Sequence, residues 1–186
     1  MKRGLTLLLL VLILAGCGRN DECMSRGMAL REKLLQSAGY SFDAEITADY
    51  GNKVYEFAMQ CTVDQNGNLT FQVSEPESIR GISGIISGMG GQLTFDDALL
   101  AFDLLADGEV SPVSAPWLLI KTLRGGYLSS SSMEDGCLRL TIDDSYEEDA
   151  LQLDIWLDSQ DLPDHAEILW QGRRVLSLDV GKFTFV

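Results

Sequence analysis

The residues that could carry covalent chemistry are few in this 186-residue chain: one histidine, His165, and four cysteines. His165 stands beside Asp164, and a serine run at 129–132 could in principle supply a nucleophile for a Ser-His-Asp arrangement. No Gly-x-Ser-x-Gly elbow accompanies these serines, and one histidine with three further cysteines has no zinc-like spacing. We therefore expect no catalytic residue, no metal site and no cofactor.

The cysteine with the most informative context is Cys17. It follows a basic start (Met1-Lys2-Arg3), an apolar run over residues 5–14 and the small residues Ala15-Gly16. This order is typical of an export signal, and the run is shorter than the roughly 20 residues that a permanent membrane span needs. The ending Leu-Ala-Gly-Cys resembles the lipobox of bacterial lipoproteins. The resemblance implies cleavage before Cys17 and acylation of its thiol with a chain such as palmitate.

The lipobox divides the chain into three predicted parts. We expect a signal peptide over residues 1–16, a lipidated tether over 17–22 and a single domain over 23–186. The mature protein is then held to a cell membrane through Cys17, on the extracytoplasmic face.

The charge of the chain excludes one class of partner. The whole sequence has 14 basic and 28 acidic residues, a formal net charge of −14. Without Lys2 and Arg3 the mature part keeps 12 basic residues against the same 28 acidic ones, which gives −16. Such a surface repels nucleic acid.

A helical pattern precedes a long series of strands. Residues 23–38 place an apolar stripe at helical spacing: Cys23, Gly27, Leu30, Leu34 and Ala38. From residue 41 the period changes to two, in segments 41–50, 54–63 and 69–73, with a hairpin dipeptide at Asn66-Gly67. These features predict one amphipathic helix followed by an antiparallel meander with one wet face.

The remainder contains one more helix and further strands. Pro76 interrupts the pattern, the glycine-rich segment 79–91 is a strand or loop with a tight turn, and residues 92–95 and 98–105 form short strands. Residues 111–124 predict a helix that Ser114 caps and Pro116 begins, which either packs in the core or covers a cavity. Segments 127–133, 137–143, 150–158, 166–171 and 174–185 are strand-like. About ten strands result, a number that commonly curls or closes a sheet.

The faces of these elements decide how the remaining cysteines pair. Cys61 lies on the apolar face of its strand and Cys23 on the apolar stripe of the first helix, whereas Cys137 lies on a polar face. Exported proteins form disulfides readily. We predict a Cys23–Cys61 disulfide and a free Cys137.

The order of these elements, together with the lipobox, resembles the LolA/LolB-like lipoprotein-carrier superfamily, which includes RseB-like sensors and LppX-like lipoproteins. The resemblance covers residues 23–186 and is carried most clearly by residues 76–95 and the helix at 116–123. It implies an α+β fold, a strongly curved, unclosed antiparallel sheet whose concave apolar face is covered by the two helices. One departure is the chain's own Cys17 anchor, because the soluble carriers of that superfamily shuttle. The anchor favours a receptor, sensor or tethered binding role.

Two functions follow from this fold. In the first, the concave face binds a lipid acyl chain or a lipoprotein without catalysis. In the second, the core is solid and the domain docks a partner protein of the cell envelope. Nine apolar residues would line the concave face, although they could equally pack against the helices: Tyr55, Phe57, Met59, Phe71, Ile85, Ile86, Met89, Trp117 and Ile120.

Overall fold

The structure is a computed structural model that describes residues 17–51, 53–95, 98–102, 105–106, 109–147 and 150–186. The predicted signal peptide, residues 1–16, lies outside the described residues. Within these ranges the chain forms two α-helices, one eleven-stranded antiparallel sheet and a two-stranded ribbon. The predicted α+β class, an unclosed antiparallel sheet with two helices, is confirmed.

The sheet consists of two meanders joined edge to edge. After helix α1 (Cys17–Gln36), the first meander comprises β1 (Gly39–Asp49), β2 (Val54–Asp64), β3 (Leu69–Glu75), β4 (Ser83–Ser87), β5 (Gly90–Phe95) and β6 (Ala98–Phe102). The connection contains β7 (Leu105–Ala106), β8 (Glu109–Val110) and helix α2 (Ala115–Gly125). The second meander comprises β9 (Tyr127–Glu134), β10 (Cys137–Asp143), β11 (Leu151–Leu157), β12 (Pro163–Trp170) and β13 (Arg173–Phe185).

The two meanders meet where β1 pairs with β13. The spatial order is therefore β6-β5-β4-β3-β2-β1-β13-β12-β11-β10-β9. The register between β1 and β13 shifts between Ser41 and Asp43. Such a bulge bends a strand and increases its local twist. In this region Phe183 of β13 stacks on Tyr40 and Phe42, with ring centroids 5.5 Å apart in both pairs.

Alternation of side chains separates an inner face, which the helices cover, from an outer face. In β10 the inner side chains Leu138, Leu140 and Ile142 are buried, whereas Arg139 and Thr141 on the outer face are partly exposed. Each buried Leu or Ile contributes about 1.5–3 kcal/mol relative to its exposed state. This alternation is the one that the sequence predicts for the strand.

Helix α1 differs from its predicted bounds at both ends. It begins at Cys17, so the residues that we expected to form a tether are helical, and it ends at Gln36, which leaves Ala38 exposed beyond it. The helix packs on β9, β10 and α2. Gly27 makes this contact close, because a Cβ at that position would lie 2.9 Å from a methyl carbon of Leu140.

The packing of α1 overturns the predicted disulfide. Cys23, Cys61 and Cys137 are all free thiols. The prediction placed the helix over the strand of Cys61, β2, but five strands separate β2 from β9 in the sheet. Cys23, on α1, and Cys61, on the inner face of β2, are both buried. Burial also raises the pKa of the Cys61 thiol.

Helix α2 packs in the core. Eight of its eleven residues are buried, including Trp117 and Ile120. Pro116 lies in its first turn as predicted, but the Ser114 hydroxyl does not cap the helix and instead donates to the Ser111 carbonyl at 2.6 Å. Of the two readings of this segment, core packing is the one observed. Among the described helices, neither is long and apolar enough to cross a membrane.

Candidate functional site: an apolar groove

The helices fill only part of the inner face, and a groove of about 590 Å³ lies on the remainder. Its floor is formed by Phe57 of β2, Val73 of β3 and Leu93 of β5. Ile79 and Ile82, from the connection between β3 and β4, extend this apolar surface. A volume of this size, lined mostly by hydrophobic residues, is typical of a small-molecule site.

The opposite wall of the groove comes from residues 110–113, which connect the ribbon to α2. Tyr50, at the end of β1, holds this wall in place, because its hydroxyl donates to the Val110 carbonyl at 2.6 Å. The ring of Tyr50 meets the ring of Tyr55 edge-on, with centroids 6.2 Å apart. Tyr55 is 46% exposed and Lys53 is exposed, so the groove opens to solvent at this rim.

Of the nine residues predicted to face a ligand, Tyr55 and Phe57 line the groove. Their role in binding stays a prediction. The others do not line it.

Five of those others pack in the core, as the alternative reading of the sequence allows. Each is at most 6% exposed: Met59, Phe71, Ile86, Trp117 and Ile120.

The placement of Ile85 and Met89 on the inner face is wrong. Ile85 is adjacent to the buried Ile86 in β4, so it points to the other face, where it is 45% exposed. Met89 lies in the turn between β4 and β5 and is 99% exposed. The glycine-rich sequence of this region hid the strand boundaries, and without them the faces could not be assigned.

Several residues that line the groove are not among those predicted from the sequence. The alternation of the predicted strands placed Tyr50 and Val73 on an apolar face, and that signal could have found them. Residues 110–113 carry no periodic pattern, because they run from the last residue of β8 into a short 3-10 helix at Pro112–Ser114. Their contact with the end of β1, through the Tyr50 hydroxyl and the Val110 carbonyl, joins residues 60 positions apart in the sequence.

His165 lies on the outer face of the sheet, whereas the groove lies on the inner face. It belongs to β12. Its Nδ1 lies 2.6 Å from the Asp179 carboxylate, and its ring is 5.3 Å from that of Trp156. Within the described ranges, no hydroxyl or thiol group forms a hydrogen bond with this histidine. In that same part of the chain, no group of three or more His, Cys, Asp or Glu side chains is arranged to hold a metal ion.

The fold and the groove define a helix-covered, unclosed antiparallel sheet with an apolar site on its inner face. No protein-family model matches the sequence, and no curated protein matches it. Solved structures are similar to it.

One of these structures is a LolA superfamily protein from Nitrosomonas europaea, with 14% identity, coverage of 86% of this chain and 93% of that one, and a TM-score of 0.45. A second is a putative outer membrane lipoprotein-sorting protein domain from Vibrio parahaemolyticus, with 9% identity, 86% and 90% coverage, and a TM-score of 0.47. A third is the lipoprotein LppX from Mycobacterium tuberculosis, with 12% identity, 87% and 93% coverage, and a TM-score of 0.41. The structures to which this chain is similar therefore include a LolA superfamily protein and LppX, which the resemblance predicted from the sequence also names.

Proposed function

We propose that this chain is a membrane-anchored, extracytoplasmic lipoprotein that binds an acyl chain of a lipid or lipoprotein in the groove, without catalysis. The observation that carries the proposal is the uneven filling of the inner face. The second meander is covered by α1 and α2, whereas the first meander keeps an open apolar groove beside it.

The chemistry of the groove suits an acyl chain. Burying each methylene group contributes about 0.8 kcal/mol, and the floor offers aliphatic and aromatic surface over three strands. The polar groups of the site lie at its rim and in its wall, so a chain in the groove meets few unpaired polar groups. An amphiphile that keeps its head at the rim and its chain on the floor matches this division.

The proposed anchor is compatible with the start of α1. Because the helix begins at Cys17, an acyl group on that residue is joined to the domain without an intervening coil. The test is labelling with radioactive palmitate in a bacterial host that expresses the full chain or its Cys17→Ser variant. We expect label in the wild type and none in the variant, and an unlabelled wild type overturns the proposed anchor.

The binding proposal is tested with the full chain, purified from membranes in detergent and exposed to a photoreactive sixteen-carbon alcohol. This probe is neutral, so its capture depends on the groove and not on charge. We expect mass spectrometry to find the label on peptides that contain Phe57, Leu93 or Val113.

Two matched substitutions locate the binding. Val113→Trp fills the groove from its wall, whereas Val54→Trp adds the same bulk at a position that is 58% exposed and does not line the groove. We expect the first to abolish most labelling and the second to leave it unchanged, while both keep the circular dichroism of the wild type. Labelling that is absent from the groove, or equal in the two variants, contradicts the proposal and favours a domain that docks a partner protein.

A further inference from the structure

The rim of the groove carries a basic group in a strongly acidic protein. Lys53 is the one charged residue among those that line the groove. Its side chain is exposed and makes no hydrogen bond, ion pair or ring contact with the described part of the chain. The formal net charge of the sequence is −14. An unpaired ammonium group therefore lies at the mouth of an apolar groove in a protein whose net charge is strongly negative.

A second basic side chain lies near the same end of the sheet. Arg173, at the start of β13, approaches the turn between β1 and β2, since a Cβ on Gly51 would lie 3.0 Å from one of its guanidinium nitrogens. It too has no hydrogen-bond or ion-pair partner among the described residues. The carboxylate in that turn, Asp49, accepts a hydrogen bond from the Gly51 backbone N–H at 2.7 Å.

Five other basic side chains on the described surface form ion pairs. Arg26 pairs with Asp161, Lys121 with Asp144 and Lys182 with Asp43. Arg139 and Arg174 also form ion pairs. Lys53, which lines the groove, has no such partner, so a basic group is available to a ligand without first breaking a contact within the protein.

We infer that the groove selects an amphiphile with an anionic head, a carboxylate or a phosphate, over a neutral or cationic one. The inference rests on the proposed function, since the alkyl chain must lie on the apolar floor. The head then lies at the rim, where the Lys53 ammonium group meets it. Tyr55 and Ser111 also line the groove, and their hydroxyl groups are hydrogen-bond donors of the kind that such oxygens accept.

The test uses four photoreactive probes with one sixteen-carbon chain and different heads: carboxylate, phosphate monoester, alcohol and trimethylammonium. They are added to the full chain in the same detergent at low salt, and label on the groove peptides is quantified. An exposed ion pair contributes up to about 1 kcal/mol, so we expect the two anionic probes to label about five-fold more than the alcohol. The preference falls as salt is added, because the charges lie at an exposed rim.

Substitutions of the basic residues test whether they cause the preference for an anionic head. Lys53→Gln is expected to reduce labelling by the anionic probes to the level of the alcohol, and Arg173→Gln to reduce it part of the way. Lys182→Gln is the matched control, because Lys182 is a highly exposed lysine that does not line the groove. It is expected to change nothing.

The outcomes separate this inference from the proposed function. Equal labelling by the alcohol and the anionic probes, or a preference that Lys53→Gln leaves intact, overturns the anionic selectivity while acyl binding stands. A preference for the trimethylammonium probe overturns the selectivity as well. No label in the groove from any of the four probes overturns acyl binding itself. Stronger labelling by the carboxylate than by the phosphate supports a fatty acid as the source of the head, and the reverse supports a phospholipid.

Discussion

Arg31 and Arg124 each hold the C-terminal end of the other's helix. Arg31, in α1, donates from Nε to the Leu123 carbonyl at 2.7 Å and from Nη2 to the Gly126 carbonyl at 2.8 Å, at the end of α2. Arg124, in α2, donates to the Leu34 carbonyl at 3.1 Å, in the last turn of α1. The last carbonyls of a helix lack partners within it and attract positive charge, so each arginine stabilises the end it reaches.

These reciprocal hydrogen bonds from Arg31 and Arg124 join the two helices as one unit over the second meander. Arg124 also donates to the Gln65 carbonyl at 2.9 Å, which attaches the unit to the turn between β2 and β3. Burial lowers the pKa of Arg31, yet its guanidinium group remains a charged donor at neutral pH. The two helices are therefore joined to each other and to the first meander by these hydrogen bonds.

Because Arg31 and Arg124 join the two helices, we expect their substitution to lower the stability of the protein. Arg31→Met removes charge-assisted hydrogen bonds to carbonyls, and we expect it to lower the free energy of unfolding by about 1.5–3 kcal/mol in denaturant titrations. Arg174→Met is the control: Arg174 is exposed and pairs with Glu167, so we expect a loss of at most about 1 kcal/mol. In the double variant Arg31→Met/Arg124→Met, a coupling of about 0.5–3 kcal/mol is expected, and strict additivity would show that the helices are not held together in this way.

Alanine substitutions at two glycines of the glycine-rich segment are expected to affect stability to different extents. Gly84, in β4, leaves room for a buried aromatic ring, since a Cβ there would lie 2.7 Å from the Phe71 ring and collide with the Gln92 carbonyl oxygen. Gly84→Ala is expected to destabilise the protein by about 1–3 kcal/mol or more. Gly88 lies in the following turn and has open space around it, so Gly88→Ala should stay within about 0.5 kcal/mol of the wild type. Thermal unfolding of the pair measures the difference, and equal midpoints would refute the contact.

The cysteines predict an order of chemical reactivity. Cys23 and Cys61 are buried, and burial raises the pKa of the Cys61 thiol, so little of the reactive thiolate forms at pH 8. Cys137 is partly exposed. Under native conditions we expect iodoacetamide to modify Cys137 first, and all three thiols to react after unfolding without reductant. A Cys23–Cys61 peptide joined by a disulfide in the unreduced digest would restore the pairing that the sequence analysis proposed.

The hydrogen bonds that Asp64 accepts predict that the stability of the protein depends on pH. Its carboxylate accepts hydrogen bonds from the side-chain and backbone N–H groups of Asn68, both at 2.9 Å, and these bonds lower its pKa. A group whose pKa is lower in the folded state stabilises the fold above its unfolded pKa of about 3.9, and this contribution is lost as the pH falls through the folded value. Asn68→Ala should raise the pKa of Asp64 in a carbon-13 NMR titration. Gln65→Ala leaves the Asn68 bonds intact and should not change it; if Asn68→Ala does not change it either, the hydrogen bond from the Asn68 side chain is not the cause.

The sequence predicts the parts of this fold better than their assembly. Alternation located the strands to within a few residues because one face of each is buried, as in β10 with Leu138 and Leu140. The pairing of β1 with β13 joins segments more than a hundred residues apart, and no local pattern encodes it. The position of α1 over β9 follows from that pairing, so the face analysis that joined Cys23 to Cys61 had no means of finding it.

The residues of the candidate site likewise fall into some that the sequence predicts and some that it does not. Tyr55 and Phe57 were found because they lie on a regular strand. The wall at residues 110–113 was missed because its position depends on the hydroxyl of Tyr50, which reaches Val110 across 60 residues of sequence. Lys53 was missed because a lysine in a turn is ordinary until the turn is seen to border a groove.

The most direct test of acyl binding is a methyl NMR titration of the full chain in detergent with a neutral long-chain alcohol. We expect the methyl resonances of Ile79, Ile82 and Val113, which line the groove, to shift. The methyl groups of Leu153 and Leu178, buried on the second meander, should not shift. Shifts confined to the second meander, or none at the groove at saturating alcohol, would contradict the central claim that the open part of the inner face holds an acyl chain.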